Sequence, residues 1–251
     1  MSLAMRSLTL LVFLLIVSSD GLAQQAGLDG PKLLYKKQHS KSLFVTSRGW
    51  GINYRTGKHI TGKSDGVFEF DFTTFRHPKE IKTRSEGGNN RSYVLGKMNT
   101  LVAIRAGYGV QRSLFGKELA HAVEVKWNLY TGVSLGIAKP VFLEIRKSAL
   151  IQGESFNVDE KYNPDIHRPS NIAGRSPWYK GLSEIRPHPG GYLKSSFSFD
   201  FADEDDRMKF LEAGMVLDFF LPPIQMMADN PANTLFLSFF LAYNFGSKQL
   251  N

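Results

Sequence analysis

The stretch Thr234-Leu-Phe-Leu-Ser-Phe-Phe-Leu-Ala-Tyr-Asn-Phe245, close to the C-terminus, decides the fold class. One face of this stretch is wholly apolar and carries Leu235, Leu237, Phe239, Leu241, Tyr243 and Phe245. The other face mixes small, polar and aromatic residues, namely Phe236, Ser238, Phe240, Ala242 and Asn244. A repeat of two residues is the period of a β-strand, and the apolar face extends for about 20 Å at about 3.3 Å per residue. The stretch therefore predicts a strand with one unbroken apolar face.

Seven further segments repeat this alternation and predict a sheet of eight strands. The strands are predicted at residues 42–54, 67–75, 93–111, 119–138, 141–150, 192–201, 208–221 and 234–245. In the fourth strand, the face predicted to meet lipid includes Val125, Leu129 and Val133, and the opposite face includes Lys126, Tyr130 and Ser134. Apolar faces of this length match the band, about 25 Å tall, that surrounds outer-membrane barrels. We predict an all-β protein, folded as an eight-stranded antiparallel transmembrane up-and-down β-barrel.

The connections between the predicted strands differ greatly in length. An even number of strands places both termini on one side, so the long irregular stretch 154–189 falls on the outside. Within it, Trp178 and Tyr179 either contact a partner or pack on the barrel rim. Short turns are predicted on the inside, at residues 139–140 and 203–206. Residues 77–92 are also expected on the inside, where a connection of that length departs from the usual asymmetry.

The N-terminus has the features of an export signal. Residues 1–23 combine a positively charged start, a short apolar run and small residues before a cleavage site. The apolar run is shorter than the ~20 residues of a membrane-spanning helix, and no other stretch approaches that length, which excludes a helical membrane protein. A basic lead-in segment is predicted at 24–41, followed by the barrel at 42–251. The absence of cysteine excludes a disulfide framework.

Charged residues alternate with the apolar ones and are predicted to form a network in the lumen. The candidates are Glu69, Asp71, Arg105, Glu124, Lys126, Lys194, Asp200 and Glu212. Eight strands leave an interior just wide enough for side chains, so we expect the charges to pair and to plug the bore, and on width alone no pore is expected. Arg105 and Lys126 are expected to balance Glu69, Glu124 and Glu212. The aromatic residues predicted at the membrane interfaces are Trp50, Tyr54, Trp127, Tyr243 and Phe245.

The signal peptide, the eight alternating strands and the aromatic-rich last strand resemble small bacterial outer-membrane β-barrel proteins of the OmpA-barrel and OmpX-like group. The ending Leu-Ala-Tyr-Asn-Phe-Gly, residues 241–246, is similar to that of barrels from Bacteroidota-type bacteria. The resemblance covers residues 43–245 as a pattern, and 246–251 extend beyond the aromatic residue at which such chains usually end. It implies a Gram-negative outer-membrane location, contact with outer-membrane lipid, and contacts with other envelope proteins through the 154–189 loop.

Residues that could support chemistry on lipids are scattered along the chain. They are His121, Asp165, His167, Ser170 and His188, and their spacing forms no catalytic motif. No cofactor or metal site is predicted, because the histidines are dispersed and cysteine is absent. The basic excess, +8 for the whole chain, suits lipid phosphates, and no motif for nucleic acid is present. The predicted function is that of a non-enzymatic envelope barrel with a structural or partner-docking role. A lipid-modifying barrel enzyme and a secreted lipid-binding barrel stay open as alternatives.

Overall fold

The structure is a computed structural model that describes residues 37–61, 64–85, 91–115, 123–148, 155–201 and 207–249. In chain order its strands are β1 (Lys37–Thr46), β2 (Gly49–Thr61), β3 (Ser64–Phe75), β4 (Lys82–Thr83), β5 (Tyr93–Val94), β6 (Asn99–Phe115), β7 (Glu124–Pro140), β8 (Phe142–Ser148), β9 (Ser155–Lys161), β10 (Ile172–Arg175), β11 (Arg186–Asp200), β12 (Arg207–Ile224) and β13 (Asn233–Gln249). A short 3₁₀ helix spans Leu182–Glu184. The predicted signal peptide at 1–23 lies outside the described residues, and within them no helix is long and apolar enough to cross a membrane.

Eight of these strands close into an antiparallel barrel. Around its circumference the order is β1-β13-β12-β11-β7-β6-β3-β2, and β2 pairs with β1 to complete the ring. The predicted fold class is therefore confirmed. Two of the predicted strands are nevertheless wrong, and a third begins later than predicted.

The segment predicted as one strand at 42–54 is a tight hairpin. β1 ends at Thr46 and β2 begins at Gly49, and the backbone amide of Arg48 donates to Thr46 Oγ1 at 3.1 Å. The turn lacks the Asn-Gly or Asp-Gly pair that usually marks a two-residue hairpin loop, so the alternation seemed to continue across it. As a result Phe44 points into the barrel, and Trp50 and Tyr54 point outward.

The segment predicted as the fifth strand, 141–150, does not belong to the barrel. Its β8 lies in the centre of a separate three-stranded sheet with the order β10-β8-β9. The adjacent charges Arg146 and Lys147 deny it the unbroken apolar face that a lipid-facing strand needs. The stretch 154–189, predicted as a loop, supplies β9, β10, the 3₁₀ helix and the beginning of β11. Residues 93–94 form a two-stranded ribbon with β4, so the third predicted strand begins instead at Asn99.

These changes redistribute the connections between the two ends of the barrel. At the terminal end lie the start of β1, the end of β13 and the strand ends that flank residues 62–63, 116–123 and 201–206. The loop end holds the turn 47–48 and the connections 76–98, 141–185 and 225–232. Residues 77–92 therefore share an end with the longest loop, contrary to the prediction, because the hairpin adds one crossing. Residues 139–140 likewise lead into that loop, and β1 takes in the last five residues of the predicted lead-in.

The barrel wall is apolar outside and polar inside. Val133, Phe239 and Phe68 face outward with 68%, 58% and 57% of their surface exposed, whereas Glu69 and Glu212 on the inner face are fully buried. This is the reverse of a water-soluble barrel and is the arrangement expected of a wall that contacts hydrocarbon. The faces predicted for the fourth and last strands are those observed.

The lumen is filled by side chains. On β6, Gly107 and Gly109 leave room for large rings, since a Cβ at Gly109 would overlap the ring of Tyr130 and one at Gly107 would overlap the hydroxyl of Tyr192. At the loop end an apolar cluster closes the bore. It consists of Phe75, Leu101, Ala103, Ala138, Phe220, Ile224, Met226, Met227 and Phe236.

Candidate functional site

The most unusual feature of the molecule is a group of seven charged side chains buried in the bore. Each of these residues is at most 2% exposed, and the set comprises Arg55, Glu69, Asp71, Arg105, Lys194, Glu212 and Asp218. They come from inward positions of five strands: β2, β3, β6, β11 and β12. Their neighbours along each strand face outward, so the period-two geometry alone turns these charges into the lumen.

Arg55 organises the half of the network nearer the terminal end. Its Nη1 and Nη2 donate to the two carboxylate oxygens of Glu212 at 2.6 and 3.1 Å, and its Nε donates to Glu69 Oε2 at 3.2 Å. The hydroxyl of Ser196 also donates to Glu212, at 2.5 Å. The paired guanidinium–carboxylate contact is the strong, directional form of an ion pair.

Arg105 organises the half nearer the loop end. Its Nε and Nη2 donate to the two oxygens of Asp218 at 2.7 and 2.8 Å, and its Nη1 lies 3.4 Å from Asp71 Oδ2. Lys194 joins the two halves, because its ammonium lies 3.1 Å from both Glu69 Oε2 and Asp71 Oδ2. The ion pairs thus form one continuous chain along the bore.

Aromatic rings surround the cations. The ammonium of Lys194 lies 5.1 Å from the ring centre of Phe240 and 5.6 Å from that of Tyr130. The guanidinium of Arg55 lies 4.6 Å from the same Tyr130 ring, and the hydroxyl of Tyr192 donates to Glu69 Oε1 at 2.8 Å. Ring faces attract cations, so these contacts help to offset the loss of hydration. The network residues are all buried, so side chains occupy the bore at the level of the network.

The structure brings together five of the eight charged residues predicted for the lumen. These are Glu69, Asp71, Arg105, Lys194 and Glu212. Lys126 lies nearer the terminal end, where its ammonium is 3.5 Å from Glu124 and 3.8 Å from Asp65. Asp200 is buried towards the same end.

The predicted pairing of these charges agrees with the structure for Lys126 and Glu124 and is wrong for Arg105 and Glu212. Arg105 binds Asp218 and Asp71, whereas Glu212 is held by Arg55, a residue the sequence did not single out. Asp218 was recognisable from its alternation with the apolar residues of β12. Arg55 was not, since it follows directly on the end predicted for a strand that is in fact a hairpin.

The aromatic residues predicted for the membrane interfaces all lie on the outer surface of the wall. Trp50, Tyr54, Tyr243 and Phe245 are 41–49% exposed, and Trp127 is half-buried. Trp50 lies beside the turn at the loop end and Tyr54 near the middle of β2, while the other three lie nearer the terminal end.

The dispersed titratable residues have separate structural positions. His167 Nε2 lies 3.2 Å from Glu160 Oε2, and Glu160 also accepts a hydrogen bond from Lys147. The bond from the Lys147 ammonium holds the pKa of Glu160 below its usual range. His188 Nδ1 lies 2.8 Å from the carbonyl oxygen of Pro222 on the barrel wall, far along the chain from His167.

The remaining candidates add no catalytic arrangement. Asp165 and Ser170 are exposed on turns, and His121 lies outside the described residues. In the part of the chain that the structure describes, no three His, Asp or Glu side chains gather as metal ligands. The buried network is therefore the site with the most defined geometry.

Comparisons with known proteins find likeness in architecture alone. No family model and no curated protein sequence matches the chain. Among solved structures, it is similar to Ail, the attachment invasion locus protein of Yersinia pestis, with 8% identity, a TM-score of 0.39, and 85% of this chain and 97% of that chain covered.

Two other solved structures are similar over comparable lengths. For Neisserial surface protein A the identity is 11% and the TM-score 0.37, with 85% of this chain and 96% of that chain covered. For the N-terminal β-barrel domain of Pseudomonas aeruginosa OprF they are 8% and 0.35, with 84% and 99% covered. All three are small outer-membrane barrels of eight strands. At 8–11% identity the likeness concerns the fold alone.

Proposed function

We propose that this chain is a non-enzymatic, non-porous barrel of the bacterial outer membrane that holds an ordered extramembrane sheet for contact with envelope partners. One observation carries the proposal: the wall is apolar outside, while seven charges are buried inside. Charges are expensive to bury, so a chain that turns them inward and its Phe and Leu residues outward is adapted to surroundings less polar than its own lumen.

The two ends of the barrel support an orientation. Outer-membrane barrels have short periplasmic turns and longer external loops. Here both described chain ends lie at the terminal end, whereas the two longest connections, 76–98 and 141–185, join strands at the loop end, so we place the terminal end in the periplasm. The loop end, with the sheet of β8, β9 and β10, then faces outward.

The extramembrane sheet has a surface suited to docking. Within the described residues β9 is an edge strand, paired only with β8, and its Phe156 is 50% exposed. An open strand edge can accept an extended segment of a partner through backbone hydrogen bonds. β9 is held against β8 by backbone pairing along its whole length, and the ion pair between Lys147 and Glu160 adds a side-chain contact between the two strands.

Two experiments test the proposal. Cell fractionation should recover the protein in carbonate-resistant membranes, with a gel mobility that changes on heating; a carbonate-soluble protein would contradict the membrane location. For docking, a photo-crosslinking amino acid at Phe156 should capture an envelope protein in intact cells, whereas the same group at the lipid-facing Phe239 should not. Equal capture from both positions, or none from Phe156, would contradict docking at this edge.

A further inference from the structure

The segment 176–185 lies against the outer side of the barrel wall, at the edge of the apolar surface. Lys139 occupies an outward position on β7, next to the inward Ala138, and its ammonium donates to the carbonyl oxygen of Lys180 at 2.7 Å. The amide of Ser176 donates to the carbonyl oxygen of Phe142 at 3.3 Å. The segment leads directly into β11, whose Arg186 pairs with Ala138. It is therefore attached to β8 at its start and to the wall in its middle and at its end.

The backbone of this segment is well defined, although its apolar side chains are exposed. The amide of Lys180 donates to the carbonyl of Pro177 at 3.1 Å, and that of Leu182 donates to the carbonyl of Tyr179 at 3.3 Å. Gly181 adopts a φ of +83°, and a Cβ there would lie 2.9 Å from the ring of Phe142. This left-handed turn directs the chain back to the wall.

Four apolar residues of the segment point away from the protein. Their exposed fractions are 74% for Trp178, 55% for Tyr179, 44% for Leu182 and 38% for Ile185. Four such side chains within eight residues form an apolar patch. Exposure of such a patch to water is unfavourable, so we expect another surface to cover it.

The part of the barrel next to the patch indicates which surface covers it. The segment continues the lipid-facing wall, in which Leu135 of the same strand as Lys139 is 41% exposed. Trp and Tyr are the residues that favour the boundary between hydrocarbon and water, because each combines an apolar ring with a polar group. Lys139 contacts the backbone of this segment, and the exposed Arg175 directly precedes it in the chain, where cations can contact lipid phosphates.

We infer that the segment 176–185 is a membrane-interface anchor, in which Trp178 and Tyr179 lie among the phosphate-bearing headgroups of the leaflet at the loop end. The inference rests on the proposed membrane location and goes beyond it. It also separates the long connection into two parts with different tasks. The anchor fixes the base of the connection to the bilayer, and β8, β9 and β10 stay available to partners.

Tryptophan fluorescence tests the anchor directly. A full-length variant with Trp50→Phe and Trp127→Phe keeps Trp178 as its single tryptophan, and it is folded into phosphatidylcholine vesicles that carry bromine near the headgroup or near the chain end. Bromine near the headgroup should remove at least half as much Trp178 emission as it removes from a matched variant that keeps only Trp50. Bromine near the chain end should quench Trp178 less.

The two outcomes that would overturn the anchor are distinguishable. If Trp50 is quenched by bromine while Trp178 is quenched only by aqueous iodide, the segment faces water or a protein partner and the anchor is rejected, with the membrane barrel intact. If neither tryptophan is quenched by bromine, the membrane location fails and the anchor fails with it. Should the double variant fold poorly, the difference in quenching between the parent protein and Trp178→Phe gives the same quantity.

Discussion

Replacing Arg55 by methionine should destabilise the barrel strongly. The Arg55 side chain is 3% exposed and contacts two carboxylates at 2.6–3.2 Å. Methionine fills a similar volume but leaves Glu212 without the guanidinium that it now binds. The buried network has three cations and four carboxylates, a formal charge of −1, and the substitution takes it to −2. Removing one partner of a buried ion pair costs about 3–5 kcal/mol, a roughly hundred- to several-thousand-fold change in the folding equilibrium.

The assay is urea unfolding of the protein in phospholipid vesicles, followed by tryptophan fluorescence. Lys161→Met is the matched control, since Lys161 and Glu184 form an ion pair at 2.8 Å in which both side chains are 44% exposed. A solvent-exposed pair contributes about 0–1 kcal/mol, so this control should unfold almost as the parent does.

A double variant separates the charge imbalance from lost packing. Combining Arg55→Met with Glu212→Gln restores the formal charge of −1 and keeps an amide oxygen as acceptor for Ser196. The double variant should regain most of the stability that Arg55→Met loses. Two results would show that the lumen is hydrated and that the ionic network is not a buried structural element. One is that Arg55→Met lowers the free energy of unfolding by no more than Lys161→Met does. The other is that the losses caused by Arg55→Met and Glu212→Gln are fully additive in the double variant.

Three other outcomes are expected. Val133→Arg should lower the free energy of unfolding in vesicles by ~2–4 kcal/mol and Val123→Arg, at the terminal edge of the wall, by about 0–1 kcal/mol; equal effects would place both positions in water. Recording in planar bilayers should show no stable large conductance, because side chains fill the bore, and a steady open current would contradict the closed lumen. Glu160 has a lowered pKa, so the stability it gives to the β8–β9 pair is full above the pKa of an unfolded glutamate and is lost as pH falls through the folded value. The protection of the β9 amides from hydrogen exchange, taken relative to an unfolded chain at the same pH, should therefore fall in acid. Glu160→Gln should remove that loss of protection.

The barrel wall was predictable because its period-two alternation is a local property of the sequence. In β13, the residues from Leu235 to Phe245 report which side meets lipid without reference to any other strand. The same rule also gave the inward direction of Glu69, Asp71 and Glu212. Alternation therefore predicts which residues line the lumen.

Turns and membership of the barrel depend on interactions that the pattern does not contain. The turn at Ser47 and Arg48 has no glycine at its two central positions, and the amide of Ser47 is satisfied by the carbonyl of Phe239 on β13. β8 alternates imperfectly, and only its pairing with β9 and β10 places it outside the wall. The spacing of residues along the sequence therefore revealed neither the turn at 47–48 nor the position of β8 outside the barrel wall.

The pairing of charged residues within the lumen was the least predictable feature. Arg55 and Glu212 are 157 residues apart, and they meet because β2 and β12 face each other across the bore. Which charges pair depends on strand order, stagger and side-chain reach together. Whether a charged side chain points into the lumen is a local property of the sequence, whereas the residue with which it pairs depends on the closed barrel.

A spin label at Val133 tests the inside-out arrangement most directly. In vesicles, a nitroxide there should be relaxed by oxygen, which concentrates in hydrocarbon, and shielded from a water-soluble nickel reagent. A label at Phe156 on the extramembrane sheet should show the opposite preference. If the Val133 label is instead reached more readily by the nickel reagent than by oxygen, the apolar wall faces water and the membrane-barrel account is wrong.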